Sequence, residues 1–78
     1  MSQELVDALA REIADLRADL PGASASAPQW AAWYLRQANI LDEIANADPS
    51  QAESALHQAA VARERARTVA GQDTREGR

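Results

Sequence analysis

The sequence predicts an all-α protein: a three-helix bundle built on an antiparallel hairpin of its second and third helices, with an alanine seam between them. Three observations carry this expectation. Capping and turn residues divide the 78 residues into three stretches, none of which alternates as a strand does. Each stretch repeats apolar residues at spacings of three and four, the period of one helix face. Nineteen residues are alanine, and Ala52, Ala55, Ala59, Ala62 and Ala66 fall on a single face of the last stretch.

The first helix is expected over about residues 3–20. Ser2 is placed to cap it, and Glu4 and Asp7 lie where the helix dipole favours acids. Pro21-Gly22 ends it, and Pro21–Pro28 reads as a loop by composition. Ser26-Ala-Pro-Gln29 has the form of a capping box, with Pro28 in the first turn, where its missing N–H costs nothing. The second helix then runs over about 28–47. Asp48-Pro-Ser-Gln51 starts the third, with Asp48 as cap and Pro49 in the first helical position. This helix is expected over about 49–70, stopped by Gly71. The chain is thus one helical domain, 1–70, with a frayed tail over 71–78.

The seams suggest how the helices meet. The first offers Val6, Leu9, Ile13, Leu16 and Leu20. The second offers Trp30, Trp33, Gln37, Ile40, Ile44 and Ala47. The third offers its alanines and Val69. The short Asn46–Pro49 connection makes the second and third helices antiparallel neighbours. Large residues on one are expected against small ones on the other. Ile44 is set opposite Ala52, Ile40 opposite Leu56, Gln37 opposite Ala59 and Trp33 opposite Arg63. Arg67 is set over the face of Trp30. The second helix adds Tyr34, Leu41 and Ala45 to its apolar arc, enough to touch two helices. Residues 21–28 reach roughly 25 Å when extended. The first helix therefore docks on its own hairpin or, as the alternative, on a neighbour's in a swapped or coiled-coil dimer.

Composition narrows the functional classes. Apart from alanine and Met1, only sixteen side chains are large and apolar. At this size, burial at ~25 cal/mol per Å² barely offsets an ordering cost of ~1.5 kcal/mol per residue. With no Cys there is no disulfide, and a single His leaves no set for structural zinc. Association is the remaining means of stabilisation, so a homo-oligomer or a protein partner is expected. Net charge is −4, which opposes direct nucleic-acid binding. The longest apolar run, Trp30–Leu35, is far below the ~20 residues of a membrane span. The N-terminal stretch has no signal-peptide pattern. No membrane association and a cytoplasmic setting are expected.

Few residues suggest chemistry. Glu53 and His57 share a helix face at i, i+4 but point away from the alanine seam, so they read as a solvated pair. Ser54 is out of register for a nucleophile–base pair. Neither a catalytic set nor a cofactor is expected, and the chain is read as non-enzymatic. Arg63, Arg65 and Arg67 form the one basic cluster; it either contacts phosphates or complements the helix dipole. Asp42, Glu43, Asp48 and Glu53 gather at the hairpin tip. Gln37, polar in the middle of an apolar face, either fixes register or reaches for water. Leu35 and Val61 lie off the apolar faces of their helices and, level with each other, suggest a docking patch. Trp30, Trp33 and Tyr34 read as filling against the alanines.

Residues 29–45, Gln-Trp-Ala-Ala-Trp-Tyr-Leu-Arg-Gln-Ala-Asn-Ile-Leu-Asp-Glu-Ile-Ala, followed by Asp48-Pro49 and an Ala/Arg-rich helix, resemble small uncharacterised α-helical proteins of actinobacteria and their phages or plasmids. The resemblance spans about residues 28–70. It implies a bacterial or phage setting and no particular chemistry. The reading that follows is a helical protein–protein interaction module. It self-associates or binds a partner helix through Leu5, Leu9 and Leu16 or through the Leu35 and Val61 side. The alternative is a phage or plasmid regulatory accessory to nucleic-acid machinery. It would act directly through Arg63, Arg65 and Arg67, or through a DNA-bound protein.

Overall fold

The computed structural model describes residues 3–76. They form α1 (Gln3–Ala18), α2 (Ala27–Ala47) and α3 (Ala52–Glu76), with a single 3-10 turn, Pro49–Gln51, leading into α3. The proposed Ser2 cap and the last residues of the expected tail lie outside the described residues. Among those described there is no strand, and no helix is long and apolar enough to cross a membrane. The fold is the all-α bundle with an α2–α3 hairpin that the sequence predicts.

The caps behave as their residues dictate. Ser26 Oγ accepts from the Gln29 backbone N–H while Gln29 Oε1 accepts from the Ser26 N–H, so both halves of the capping box are present. Asp48 serves two elements. Its backbone N–H donates to Ile44 O, closing α2. Its carboxylate accepts from the backbone and hydroxyl of Ser50 and from the Gln51 amide. Those donors hold the Asp48 carboxyl below its ordinary range, the Ser50 hydroxyl most of all.

Two boundaries differ from expectation. Pro49–Gln51 winds as a 3-10 turn before the α-helix begins. Glycine ends a helix by adopting positive φ just beyond it. Gly71 keeps negative φ, and α3 continues through it to Glu76. The residue costs roughly 1 kcal/mol of helix propensity relative to Ala without stopping the helix.

The alanine seam lies where the sequence predicts it, but its opposite wall differs. Ala55, Ala59, Ala62 and Ala66 are all buried on α3. Facing them is a second small-residue stripe on α2. Ala38 packs with Ala59 and Ala62, and Leu41 covers the cluster. Gln37 therefore does not face Ala59, nor does Trp33 face Arg63. Leu56 is 53% exposed rather than set against Ile40. Small residues on both helices allow a close approach that bulky ones forbid. The larger stripe of α2 is thereby released to the leucines of α1.

α1 runs antiparallel to α2 in the same chain and packs on it alone; its backbone comes within 8 Å of α3 nowhere among the described residues. Leu9 and Leu16 are 7% and 6% exposed. The Trp33 indole N–H donates to Leu16 O at 2.8 Å. Leu16 lies in the last turn of α1, where carbonyls lack a helical donor, so Trp33 caps α1 from across the interface. Arg36 pairs with Asp19 at 3.1 Å just beyond. The α1-facing and α3-facing stripes of α2 are about 140° apart at 100° per residue. The three helices accordingly lie side by side with α2 in the middle, in a slab of 49 × 24 × 12 Å.

Candidate functional site

A slab has two broad faces, and the helical register gives these two opposite characters. One face is polar. Glu12 and Asp15 of α1 and Arg36, Asn39 and Glu43 of α2 line one hollow of it. Nearby, Arg63 donates to Asp42 and forms an ion pair that ties α3 to α2. Glu43 is held above the ordinary carboxylate range. The hydrogen bond with Glu12 is the main cause, followed by burial and by the charge of Glu12.

The other face is the more apolar of the two. Ile13, Leu16, Trp33, Gln37, Ile40, Leu41 and Ile44, together with Arg17, line a shallow groove of about 230 Å³ between α1 and α2. Tyr34, Val61, Thr68 and Val69, together with Glu64 and Arg65, line another of about 390 Å³ between α2 and α3. The aromatic trio lies along this side, with Trp33 and Tyr34 edge to face at 5.5 Å and Trp30 within 6.1 Å of both. Val6, seven residues before Ile13 and on the same stripe, extends the face along α1 and is 40% exposed. Of these side chains only Leu16 and Ile40 are buried within the chain.

Among the described residues, two buried side-chain oxygens lack a hydrogen-bond partner: Glu12 Oε2 beside the polar hollow and Gln37 Oε1 beneath the apolar face. A buried acceptor left unpaired costs about 1–3 kcal/mol. Gln37 is the middle residue of α2, so its unpaired carbonyl sits near the centre of the apolar face.

The residues singled out from sequence distribute as follows. Leu9 and Leu16 are committed to the fold, while Leu5, Leu35 and Val61 are exposed. Leu35 lies seven residues before Asp42 and therefore on the polar face. Val61 lines the apolar face beside Tyr34. The two are on opposite sides of the hairpin and do not form one patch. Arg67 donates to Glu64 on its own helix rather than covering Trp30. Arg63 is tied to Asp42, and Arg65 lies at the edge of the α2–α3 groove. The acidic tip is divided by its partners: Asp42 to Arg63, Glu43 to Glu12, Asp48 to the turn. Glu53 and His57 stand exposed. No group of three or more metal-ligating side chains is assembled among the described residues.

Sequence reasoning missed the apolar face as a whole, together with the Trp33 cap and the Asp42–Arg63 pair. A signal for the face was present: Ala31, Ala38 and Ala45 recur at seven-residue spacing on α2, as Ala52, Ala59 and Ala66 do on α3. Matching those two stripes leaves Trp33, Gln37, Ile40 and Ile44 for α1.

No family model matches the chain. No curated protein and no solved structure matches it.

Proposed function

We propose that this chain is a non-enzymatic, cytoplasmic helical interaction module whose working surface is the apolar face of the slab. The observation that carries the reading is the segregation of side chains between the two faces. Exposed apolar side chains gathered on one side of a soluble protein mark interaction sites. Six of the nine buried hydrophobic residues are alanines, and no large side chain is fully buried among the described residues. Domains ordinarily pack two or more layers around a core, and a chain that supplies one layer gains most by finding the second elsewhere.

The alternative, an accessory to phage or plasmid nucleic-acid machinery, fits the same face if the partner is a helix of a DNA-bound protein. Direct phosphate contact is the weaker form of that idea. Arg63 and Arg67 are already paired with acids, and binding to phosphates would require breaking those pairs.

Light scattering across a dilution series tests the reading, with paired variants. Val61→Arg is expected to weaken association without loss of helicity, and Leu35→Arg on the polar face to leave it unchanged. Equal effects from both, or none from either, would contradict the assignment of the apolar face.

A further inference from the structure

We propose that α1 is a strap that opens from α2 as a unit while the α2–α3 hairpin stays folded, and that the Glu12–Glu43 carboxyl pair at the α1–α2 contact makes its opening respond to pH. The inference concerns how α1 is held, and it does not depend on which face of the slab meets a partner.

The two helix–helix contacts of the slab are built differently. Between α2 and α3, the buried Ala38, Ala59 and Ala62 close a seam of methyl groups. Arg63 and Asp42 tie the same two helices, and the short turn capped by Asp48 joins them. On α1, burial is limited to Leu9 and Leu16, and α1 gains no support from α3, which it does not approach among the described residues. Both unpaired buried acceptors among the described residues fall at the α1–α2 contact. Glu12 of α1 lines a hollow against α2, and Gln37 of α2 lines the groove against α1. A buried acceptor without a donor has given up its water for nothing, so each is relieved when α1 swings away and water enters. Local opening follows the contacts with the least burial. Residues 19–26, which form no helix, are the hinge.

Two bonds hold the last turn of α1 and the residues just beyond it: the Trp33 indole N–H to Leu16 O, and Arg36 to Asp19. The carboxyl pair lies one turn earlier. A carboxyl donates a hydrogen bond only in its protonated form, and two ionised carboxylates at this contact repel. The Glu43 carboxyl is held above its ordinary range by the hydrogen bond with Glu12 first, then by burial and by the charge of Glu12. Two other charged groups line the hollow, Asp15 from α1 and Arg36 from α2. Asp15 adds negative charge, and Arg36 is engaged by Asp19 at 3.1 Å. No residue of α3 lines it, and Arg63 of that helix is bonded to Asp42. The strap is therefore held most firmly below the ordinary carboxylate range and is released as pH rises through the raised one. Release bares Trp33, Gln37, Ile40 and Ile44, the bulky stripe of α2.

Native-state amide exchange of the full chain over about pH 4 to 7, corrected for the intrinsic rate, reads each helix separately. Leu9 to Leu16 of α1 are expected to be less protected at pH 7 than Ala55 to Ala66 of α3. Protection of α1 should fall with rising pH, by up to about tenfold per pH unit, the limit set by a single proton. Glu43→Gln and Glu12→Gln each replace the proton-dependent donor by an amide. Either should make α1 protection level with pH while α3 is unchanged. Glu43 is exposed, so its substitution leaves the fold intact. Asp15→Asn, in the same hollow, should keep the pH dependence. Equal protection of α1 and α3 at pH 7 overturns the strap. A parent chain whose α1 protection does not change with pH, a dependence that survives both glutamine variants, or one that Asp15→Asn removes overturns the carboxyl pair as its control.

Discussion

Ala59 is fully buried, and so is Ala38, which packs with it. Replacing Ala59 with Leu adds three carbon atoms where two helices meet through methyl groups. Extra methylenes in a closed core typically cost about 1–3 kcal/mol, because burial of the new carbons is outweighed by displaced backbone. Native stabilities run at roughly 0.05–0.15 kcal/mol per residue, so this is a large part of the total for so short a chain. With a midpoint shift of about 4–8 °C per kcal/mol at this size, Ala59→Leu should lower the thermal midpoint by roughly 5–20 °C. The reverse change, Ala59→Gly, also destabilises, through a lost methyl and about 1 kcal/mol of helix propensity. Ala60, the next residue, is exposed, and Ala60→Leu should stay within about 0.5 kcal/mol of the parent. Circular dichroism at 222 nm with heating and with urea reads all three. If Ala59→Leu leaves the midpoint unchanged or raises it, the α2–α3 seam is not closed by alanine on both sides.

Other consequences follow from the same contacts. Trp33→Phe removes the donor to Leu16 O and should cost about 1–2 kcal/mol, seen as faster amide exchange concentrated in α1. Gly71→Ala should raise the stability of α3 by about 0.5–1 kcal/mol, measurable as slower exchange after Ala66; a loss would mean that Gly71 adopts a conformation closed to Ala. Glu43 binds its proton more tightly when folded than unfolded, so its contribution is fully present below the ordinary carboxylate value and is lost as pH rises through the raised one. Glu43→Gln should therefore flatten the stability profile within that window and stabilise the chain at pH 7, as urea denaturation at a series of pH values would read. Asp48 has the opposite sign: its contribution holds above its ordinary value and falls away as pH drops through the lowered one. Asp48→Ala should lower stability at pH 7 through loss of the turn's cap, and less so in acid, as urea denaturation at the two pH values would read.

The helices and their caps were legible because each is written locally. Ser26 and Gln29 reach only each other, and Asp48 reaches only residues within its own turn. The alanine seam was legible on α3 because periodicity marks a face. What periodicity does not mark is which neighbour takes which part of a wide apolar arc. On α2 two stripes run side by side, one small and one bulky, and each makes a plausible partner for alanine. The rule of large against small chose the bulky stripe, whereas close approach through Ala38, Ala59 and Ala62 is the packing realised. That one choice carries Trp33 and Gln37 to the α1 side and aligns Asp42 with Arg63. It also divides Leu35 from Val61. Gly71 misled for a different reason: glycine permits a helix to end but does not compel it.

The dependence of thermal stability on protein concentration tests the account's central claim most directly. A slab that completes its core with a second layer unfolds and dissociates together, so its midpoint rises with concentration by mass action. Over a hundredfold range, from about 2 to 200 µM, the account predicts a steady upward shift that Val61→Arg abolishes and Leu35→Arg preserves. A midpoint that is high and constant across that range would contradict it.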